Sequence, residues 1–267
     1  MHNMKDDLSA FTFVAIQAAL KAGDVLRKGF GTLYQISHKP GKQNLVTEYD
    51  KASEDIILST IFHHFPDHAA LAEESGSKSS AGSTILWIVD PLDGTVNFAH
   101  NIPIFSISIA ASFENKTLLG IVYQPMTQEL FMAMHGEGAY LNGTKLQVSK
   151  TQELEEAILA TGFPYNVHEN PLSCVDQFAS LTKSGIPIRR LGSAAIDLAY
   201  VAAGRFDAYW EVSLHPWDAA AGVLLIQEAG GMVSDYFGKA RDLLSEGPML
   251  ASNRLLHQKM IQALHLS

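Results

Sequence analysis

The sequence predicts an α+β fold in two halves, and three observations predict it. Apolar residues recur at helical spacing near the N-terminus, short strands crowd the middle, and helices alternate with strands beyond about residue 149. The halves are residues 1–150 and 151–267. No long linker or internal repeat lies between them, so one compact unit is expected.

The first helix is read over residues 8–30, where Phe11, Val14, Ala15, Ala18, Ala22, Val25 and Leu26 keep one face apolar and Gly29 and Gly31 mark the end. A looser stretch around Lys39, Pro40 and Gly41 follows. Thr47, with Asp50 three residues on, resembles a capping box opening a second helix that runs through Ile56, Ile57 and Ile61 toward Pro66. Two strand-like runs, 69–72 and 85–89, flank a Ser/Gly-rich loop, and each ends on acidic residues. Strands at 107–111, 118–122, 130–134 and 145–148 are separated by turn signals at Glu114-Asn115-Lys116, Pro125-Met126 and Asn142-Gly143, which is the pattern of an antiparallel meander. The second half reads as a strand at 157–161, a helix from Pro171, a strand at 186–190 and a small-residue helix over 193–203. A strand at 208–211, a helix over 218–229, a strand at 249–251 and a last helix capped by Ser252 complete it.

Of the 267 residues, 47% are hydrophobic, enough for a sizeable core and too many for a disordered chain. The net charge of −9 repels polyphosphate backbones, so no nucleic-acid partner is expected. An acidic protein that handles phosphate needs a local positive charge, and bound cations held by the surplus carboxylates would supply it. Cys174 is the only cysteine, so no internal disulfide forms and no oxidising compartment is needed. Residues 1–8 are polar and acidic, unlike a secretion signal, and no window reads as the roughly 20 consecutive apolar residues of a membrane span. A cytoplasmic protein without a membrane partner is the expectation.

The sharpest motif is Trp87-Ile88-Val89-Asp90-Pro91-Leu92-Asp93-Gly94-Thr95. A strand runs into two aspartates three residues apart, with Pro91 fixing the bend between them. Gly94 lets the backbone approach closely, and Gly94-Thr95 opens a short helix whose free N–H groups suit an anion. Hard oxygen ligands beside an anion cradle fit a magnesium ion shared with a phosphate, although an Asp-rich turn accounts for the same residues equally well. Glu73-Glu74 at a strand end and Asp218 behind Pro216-Trp217 carry the same two readings, as site acids or as solvated and helix-capping ones. His100 and His215 are read as packing or hydrogen-bonding residues, because magnesium prefers oxygen. Cys174 is read as a small packed hydrophobe. Arg189-Arg190 is either an attractor for an anionic substrate or simply a charged strand end.

Five segments together resemble the motif set of the inositol monophosphatase family, in the family's order and over nearly the whole chain. They are Thr47-Glu48-Tyr49-Asp50, Glu73-Glu74-Ser75, Asp90-Pro91-Leu92-Asp93-Gly94-Thr95-Val96-Asn97-Phe98, Gly192-Ser193-Ala194-Ala195 and Pro216-Trp217-Asp218-Ala219-Ala220-Ala221-Gly222.

The resemblance implies a five-layered αβαβα sandwich, with an antiparallel N-terminal sheet and an alternating α/β C-terminal half, and a homodimeric assembly. It implies hydrolysis of a small polyol or sugar phosphate monoester, inositol monophosphate first, by metal-activated water with two to three Mg²⁺ ions and sensitivity to lithium. The metal ligands it implies are Glu73, Asp90, the carbonyl of Leu92, Asp93 and Asp218, with Asp50, Thr95 and Glu73 catalytic. Asp93, Gly94, Thr95, Gly192, Ser193, Ala194, Glu211 and Asp218 would bind substrate, and Lys39 matches a basic position near the metals. Most metal ligands thus fall in the first half, while Asp218 and most substrate-binding residues fall in the second. Val96 and Ser193 replace threonines common in the family, which bears on substrate preference alone. The rival readings are fructose-1,6-bisphosphatase or nucleotide 3′-phosphatase activity on the same frame, and a non-catalytic regulatory protein that keeps the fold.

Overall fold

The computed structural model describes residues 4–32, 36–38, 45–78 and 82–265. The periodic N-terminal segment folds as α1 (Met4–Gly29). A small antiparallel pair, β1 (Ile36–His38) and β2 (Leu45–Thr47), leads into α2 (Glu48–His64). The capping box of α2 is present: the Thr47 amide donates to Asp50 Oδ2 at 2.7 Å, and the Tyr49 amide donates to Thr47 Oγ1 at 3.1 Å. Lys39, and with it the basic position expected there, lies outside the described residues.

Next come β3 (Ala69–Ala72), β4 (Gly76–Lys78), β5 (Ile85–Asp93), α3 (Thr95–Ala99), β6 (Ser106–Phe113), β7 (Lys116–Gln124), β8 (Glu129–Met134), β9 (Gly138–Leu141) and β10 (Thr144–Lys145). They form one sheet in the order β10-β9-β8-β7-β6-β5-β3-β4. The meander from β5 to β10 is antiparallel, as the turn signals require. Asn115 and Asn142 take positive φ in two of its hairpins, a conformation asparagine tolerates. One pairing departs from the antiparallel expectation: β3 lies parallel to β5, so their C-terminal ends emerge at the same edge.

The second half contains β11 (Leu159–Thr161), α4 (Cys174–Lys183), β12 (Ile188–Arg189), α5 (Ala194–Ala202), β13 (Ala208–Leu214), α6 (Pro216–Glu228), β14 (Met232–Ser234), β15 (Gly247–Ser252) and α7 (His257–His265). Its strands form a mixed sheet in the order β12-β11-β13-β15-β14. Ser252 does not cap the last helix. Its backbone pairs with both neighbouring strands, and its hydroxyl donates to the Asn253 carbonyl. Asn253 takes the capping role in the turn that follows, accepting the Leu256 amide at 2.8 Å.

Side-chain alternation stacks these elements into five layers. On β5, Trp87 and Val89 face α1 and α2, while Ile88 faces α5 and α6; Ile121 and Val122 divide the same way on β7. On the second sheet, Tyr209 and Met249 face α5 and α6, while Trp210 and Leu250 face α4 and α7. The order is therefore α1/α2, first sheet, α5/α6, second sheet, α4/α7: the αβαβα sandwich. Small residues let the middle layer approach the first sheet closely. A Cβ on Gly120 of β7 would come within 2.7 Å of the Ala221 carbonyl on α6, so only glycine allows this approach.

Contrary to the sequence reading, residues 7–29 are long and apolar enough to cross a membrane by length and composition. Here Phe11, Val14, Ala15, Ala18, Ala22 and Leu26 of α1 are buried in the layer against the first sheet.

Candidate metal-binding active site

Strand register assembles the acids. The parallel pairing sets Ala72 opposite Val89, and the Glu73 amide donates to the Val89 carbonyl at 3.1 Å, so Glu73 leaves β3 beside Asp90. Asp90 and Asp93 lie at the end of β5, where a bulge interrupts its pairing with β6. Asp90 Oδ1 accepts the Leu92 amide at 3.0 Å, which fixes the bend at Pro91.

Strand β6 then recruits the two middle helices. Ser108 pairs with Asp90, and its hydroxyl donates to the Trp217 carbonyl at 3.1 Å, docking the start of α6 and therefore Asp218. Ser106 pairs with Asp93, and its hydroxyl lies 3.1 Å from that of Ser193 at the start of α5. Ser193 Oγ donates to Asp93 Oδ2 at 2.6 Å, and the Ala195 amide donates to the same oxygen at 2.7 Å. The Asp93 carboxylate is thus held at the positive end of α5. Asp218 Oδ2 accepts the His215 amide at 2.7 Å, closing the first turn of α6.

Helix α2 supplies the other wall. Asp50 is buried; its Oδ2 takes the Thr47 amide and hydroxyl, and its Oδ1 takes the Thr95 hydroxyl at 2.8 Å. The Leu92 carbonyl lies 3.0 Å from that same hydroxyl. Gly94 has φ +98° and opens α3. A Cβ there would stand 3.1 Å from the Ile104 carbonyl and 3.2 Å from the Gly192 carbonyl, so the contact between the two glycine turns excludes a side chain.

The electrostatics are those of crowded acids. Burial, then the charges of Glu73, Asp93 and Asp218, push the Asp90 carboxyl well above the usual carboxylate range, and a hydrogen bond with Glu73 adds to the rise. Burial raises Asp93 to about 6 even though Ser193 and the α5 amides favour its ionised form. Asp218 is raised by burial and then by Asp93 and Glu73. Asp50 is raised by burial against the opposing pull of Thr47 and Thr95. Asp93, Glu211 and Asp218 each keep some accessible surface, so the cluster is enclosed by protein yet open along one side.

Among the described residues, no three His, Cys, Asp or Glu side chains stand as a ready-made metal-holding group. Asp90 and Glu73 are instead hydrogen-bonded to each other. The donor chemistry nonetheless fits a hard divalent cation: the converging groups are carboxylates, and the charges of their neighbours add to the rise at Asp90, Asp93 and Asp218. A cation at this position would offset the repulsion among these carboxylates.

The structure therefore brings Asp50, Glu73, Asp90, Leu92, Asp93, Gly94, Thr95, Gly192, Ser193, Ala194 and Asp218 to one edge of the first sheet. The Ser193 hydroxyl is turned inward to Asp93. Glu211 stands on β13, bonded by the Tyr209 hydroxyl and raised to about 7 by burial; Asp93 and Asp197 both lie within its electrostatic reach. Arg190 is exposed and partly offsets the charges of Asp197 and Glu211. His215 stacks on Trp217 at 4.8 Å, and Cys174 is packed in the outer core with its thiol pushed up by burial, both as packing residues. Sequence reasoning missed Ser53, Glu54, Ser106 and Ser108. The signal for the last two was the alternation Ser106-Ile107-Ser108-Ile109, which places hydroxyls on the face that meets α5 and α6.

The chain is similar to known proteins over nearly its whole length. The model of the inositol monophosphatase family matches residues 7–267. An inositol-1-monophosphatase of Synechocystis is 44% identical over 258 residues, covering 97% of this chain and 90% of that protein. The Nus factor SuhB of Escherichia coli K12 is 41% identical over 249 residues, 93% of each chain. The crystal structure of the suppressor protein suhB from Bartonella henselae superposes with a TM-score of 0.90 at 39% identity, covering 96% of this chain and 98% of that one. A structure of an IMPase/NADP phosphatase complexed with Mg²⁺ and phosphate superposes with a TM-score of 0.85 at 27% identity, covering 98% and 97%.

Proposed function

Since the chain belongs to the inositol monophosphatase family, we propose that it is a Mg²⁺-dependent phosphoric monoester hydrolase acting on a small polyol phosphate, inositol monophosphate before others. The observation that carries this reading is the register of β3 beside β5, which sets Glu73 next to Asp90 and lets Asp93 and Asp218 complete one acidic cluster. Glu73, Asp90, the Leu92 carbonyl, Asp93 and Asp218 would hold two to three ions. The Mg²⁺ and phosphate complex of the related phosphatase supports a divalent cation here. Bound cations neutralise phosphoryl oxygens, lower the pKa of water and stabilise the leaving oxygen.

The chain's own groups handle the proton. Thr95 carries one hydroxyl proton, and given to Asp50 Oδ1, the nearer of its two acceptors, it leaves the Thr95 oxygen free to accept from the attacking water. As water attacks phosphorus, its proton passes to Thr95 Oγ1 while the Thr95 proton moves to Asp50. Burial raises the basicity of Asp50, as a general base requires. The P–O ester bond breaks in line, and the departing alkoxide collects a proton from solvent. Gly94 and Thr95 amides would orient the phosphate. The Gly192–Ala194 turn, Glu211 and Asp218 would face the hydroxyls of the alcohol.

Phosphate release from a panel of inositol, fructose, phosphoadenosine and nicotinamide-dinucleotide phosphates, with Mg²⁺ and with EDTA, tests the proposal. Mg²⁺-dependent release, highest in kcat/KM for inositol monophosphate, is expected; no release from any ester overturns it. A second reading, a regulatory protein that keeps the fold, is supported by relatives named Nus factor SuhB rather than as enzymes, and the same null result favours it. In the phosphatase reading the protein is cytoplasmic and homodimeric. Exposed Tyr165, Leu172 and Val175 offer apolar surface for the pairing, and light scattering is expected to give twice the 29.1 kDa chain mass.

A further inference from the structure

One face of α2 touches the ends of β3 and β5, the strands that deliver Glu73, Asp90 and Asp93. Asp50, Ser53 and Glu54 lie at i, i+3 and i+4, so their side chains share that face, and all three are buried. Asp50 meets Thr95, as described above. Ser53 Oγ donates to the Pro91 carbonyl at 2.7 Å, inside the bend that joins Asp90 to Asp93. Glu54 Oε2 accepts the Glu74 amide and Oε1 accepts the Ser75 amide, both at 2.9 Å, in the turn that follows Glu73.

We propose that Glu54, with Ser53, is a positioning clamp that sets the separation between Glu73 and Asp90 and thereby the divalent-cation affinity of the site. Glu54 touches neither substrate nor cation. It acts through the backbone of residues 73–75, while Ser53, one residue away on the same rigid helix, acts through the backbone of Asp90-Pro91. The two anchor points are therefore fixed relative to each other by adjacent residues of one helix and not by the strands alone. The chemistry requires a carboxylate at position 54. Both of its oxygens accept from a main-chain N–H, and a glutamine would present an NH₂ donor to one of those N–H groups. An aspartate, one methylene shorter, cannot reach both amides from the same helix position. This inference rests on the carboxylate cluster being a cation site, and it adds a residue that holds the site in register.

The test is calorimetric titration of Mn²⁺ into the full chain, alongside its melting temperature and the amide NMR shifts of Glu74 and Ser75. Glu54→Gln is expected to bind Mn²⁺ about 10-fold or more weakly, the usual cost of losing an outer partner of a metal ligand, with both amide shifts moved. Parental Mn²⁺ affinity in folded Glu54→Gln overturns the clamp, whatever happens to its melting temperature. If Glu54→Gln does not fold, Ser53→Ala decides: a loss of roughly fivefold, the weight of one hydrogen bond, supports the clamp, and parental affinity overturns it. If the parent chain itself binds no Mn²⁺, the cation-site reading falls and the clamp falls with it, a result distinct from the other two.

Discussion

Thr95 Oγ1 donates to Asp50 Oδ1 across 2.8 Å, joining two motifs 45 residues apart in the sequence. This contact links the helix that caps itself with Thr47 to the turn that follows Asp93. Thr95→Ala is expected to lower kcat by about 10²–10⁴, the range of lost general-base assistance. KM should change little. Steady-state kinetics at saturating Mg²⁺ checks both; kcat within a few-fold of the parent would remove Thr95 from the proton path.

The acids at the strand ends conflict with one another when no cation is bound. Asp90→Asn and Asp218→Asn are each expected to abolish most phosphate release and yet to raise the melting temperature measured in EDTA. Each removes a charge from a cluster in which burial and neighbouring acids already oppose ionisation. For a chain of this size, about 1 kcal/mol appears as roughly 2–4 °C. Turnover near the parental rate in either variant would exclude that residue from the site.

The same conflict sets a pH dependence. Asp93 is raised from 3.8 to about 6 and Glu211 from 4.5 to about 7. Between those values the folded state binds more protons than the unfolded state, so stability falls as pH rises. The contribution is full below about pH 4 and is lost as pH rises through about 6 for Asp93 and about 7 for Glu211. In EDTA, unfolding curves from pH 4 to 8 should show this decline, and excess Mg²⁺ should reverse it most at the alkaline end. A flat profile in EDTA would show that these acids ionise without penalty.

Gly94 is the tightest backbone point of the site. Gly94→Ala forces a Cβ onto φ +98° against the Ile104 and Gly192 carbonyls. A cost of about 1–3 kcal/mol is expected in urea unfolding, together with a fall in kcat/KM, because the two substrate-facing turns must separate. Parental stability would mean that the turns yield without strain.

Lithium is expected to inhibit, and EDTA to abolish, phosphate release. Activity that persists after exhaustive chelation would place the chemistry on groups other than the carboxylate cluster.

Much of the fold was legible because its signals are local. The Thr47–Asp50 capping box is a three-residue spacing, and strand 69–72 is bounded by Pro66 and two acids. Asn142-Gly143 marks a hairpin by its backbone requirement alone. The elements missed are those whose pairing is decided elsewhere in the chain. β9 begins at Gly138 and β14 follows Gly230-Gly231, so each is held by its neighbour strand more than by its own propensity. Ser252 has the residue type of a cap, but its backbone is paired on both sides. The site shows the same division. Asp90, Asp93 and their glycine were readable from one segment, whereas the parallel register of β3 and the docking hydroxyls of Ser106 and Ser108 exist only once the sheet has formed. Locally these acids suit a turn as well as a site, and only their joint occurrence in the family's motif order separates the two.

The most direct test is anomalous diffraction from crystals of the full chain grown with Mn²⁺. Peaks are expected about 2.0–2.3 Å from carboxylate oxygens of Glu73, Asp90, Asp93 and Asp218. Ordered Mn²⁺ bound only elsewhere, or a well-ordered site edge with no peak among these four side chains, would contradict it.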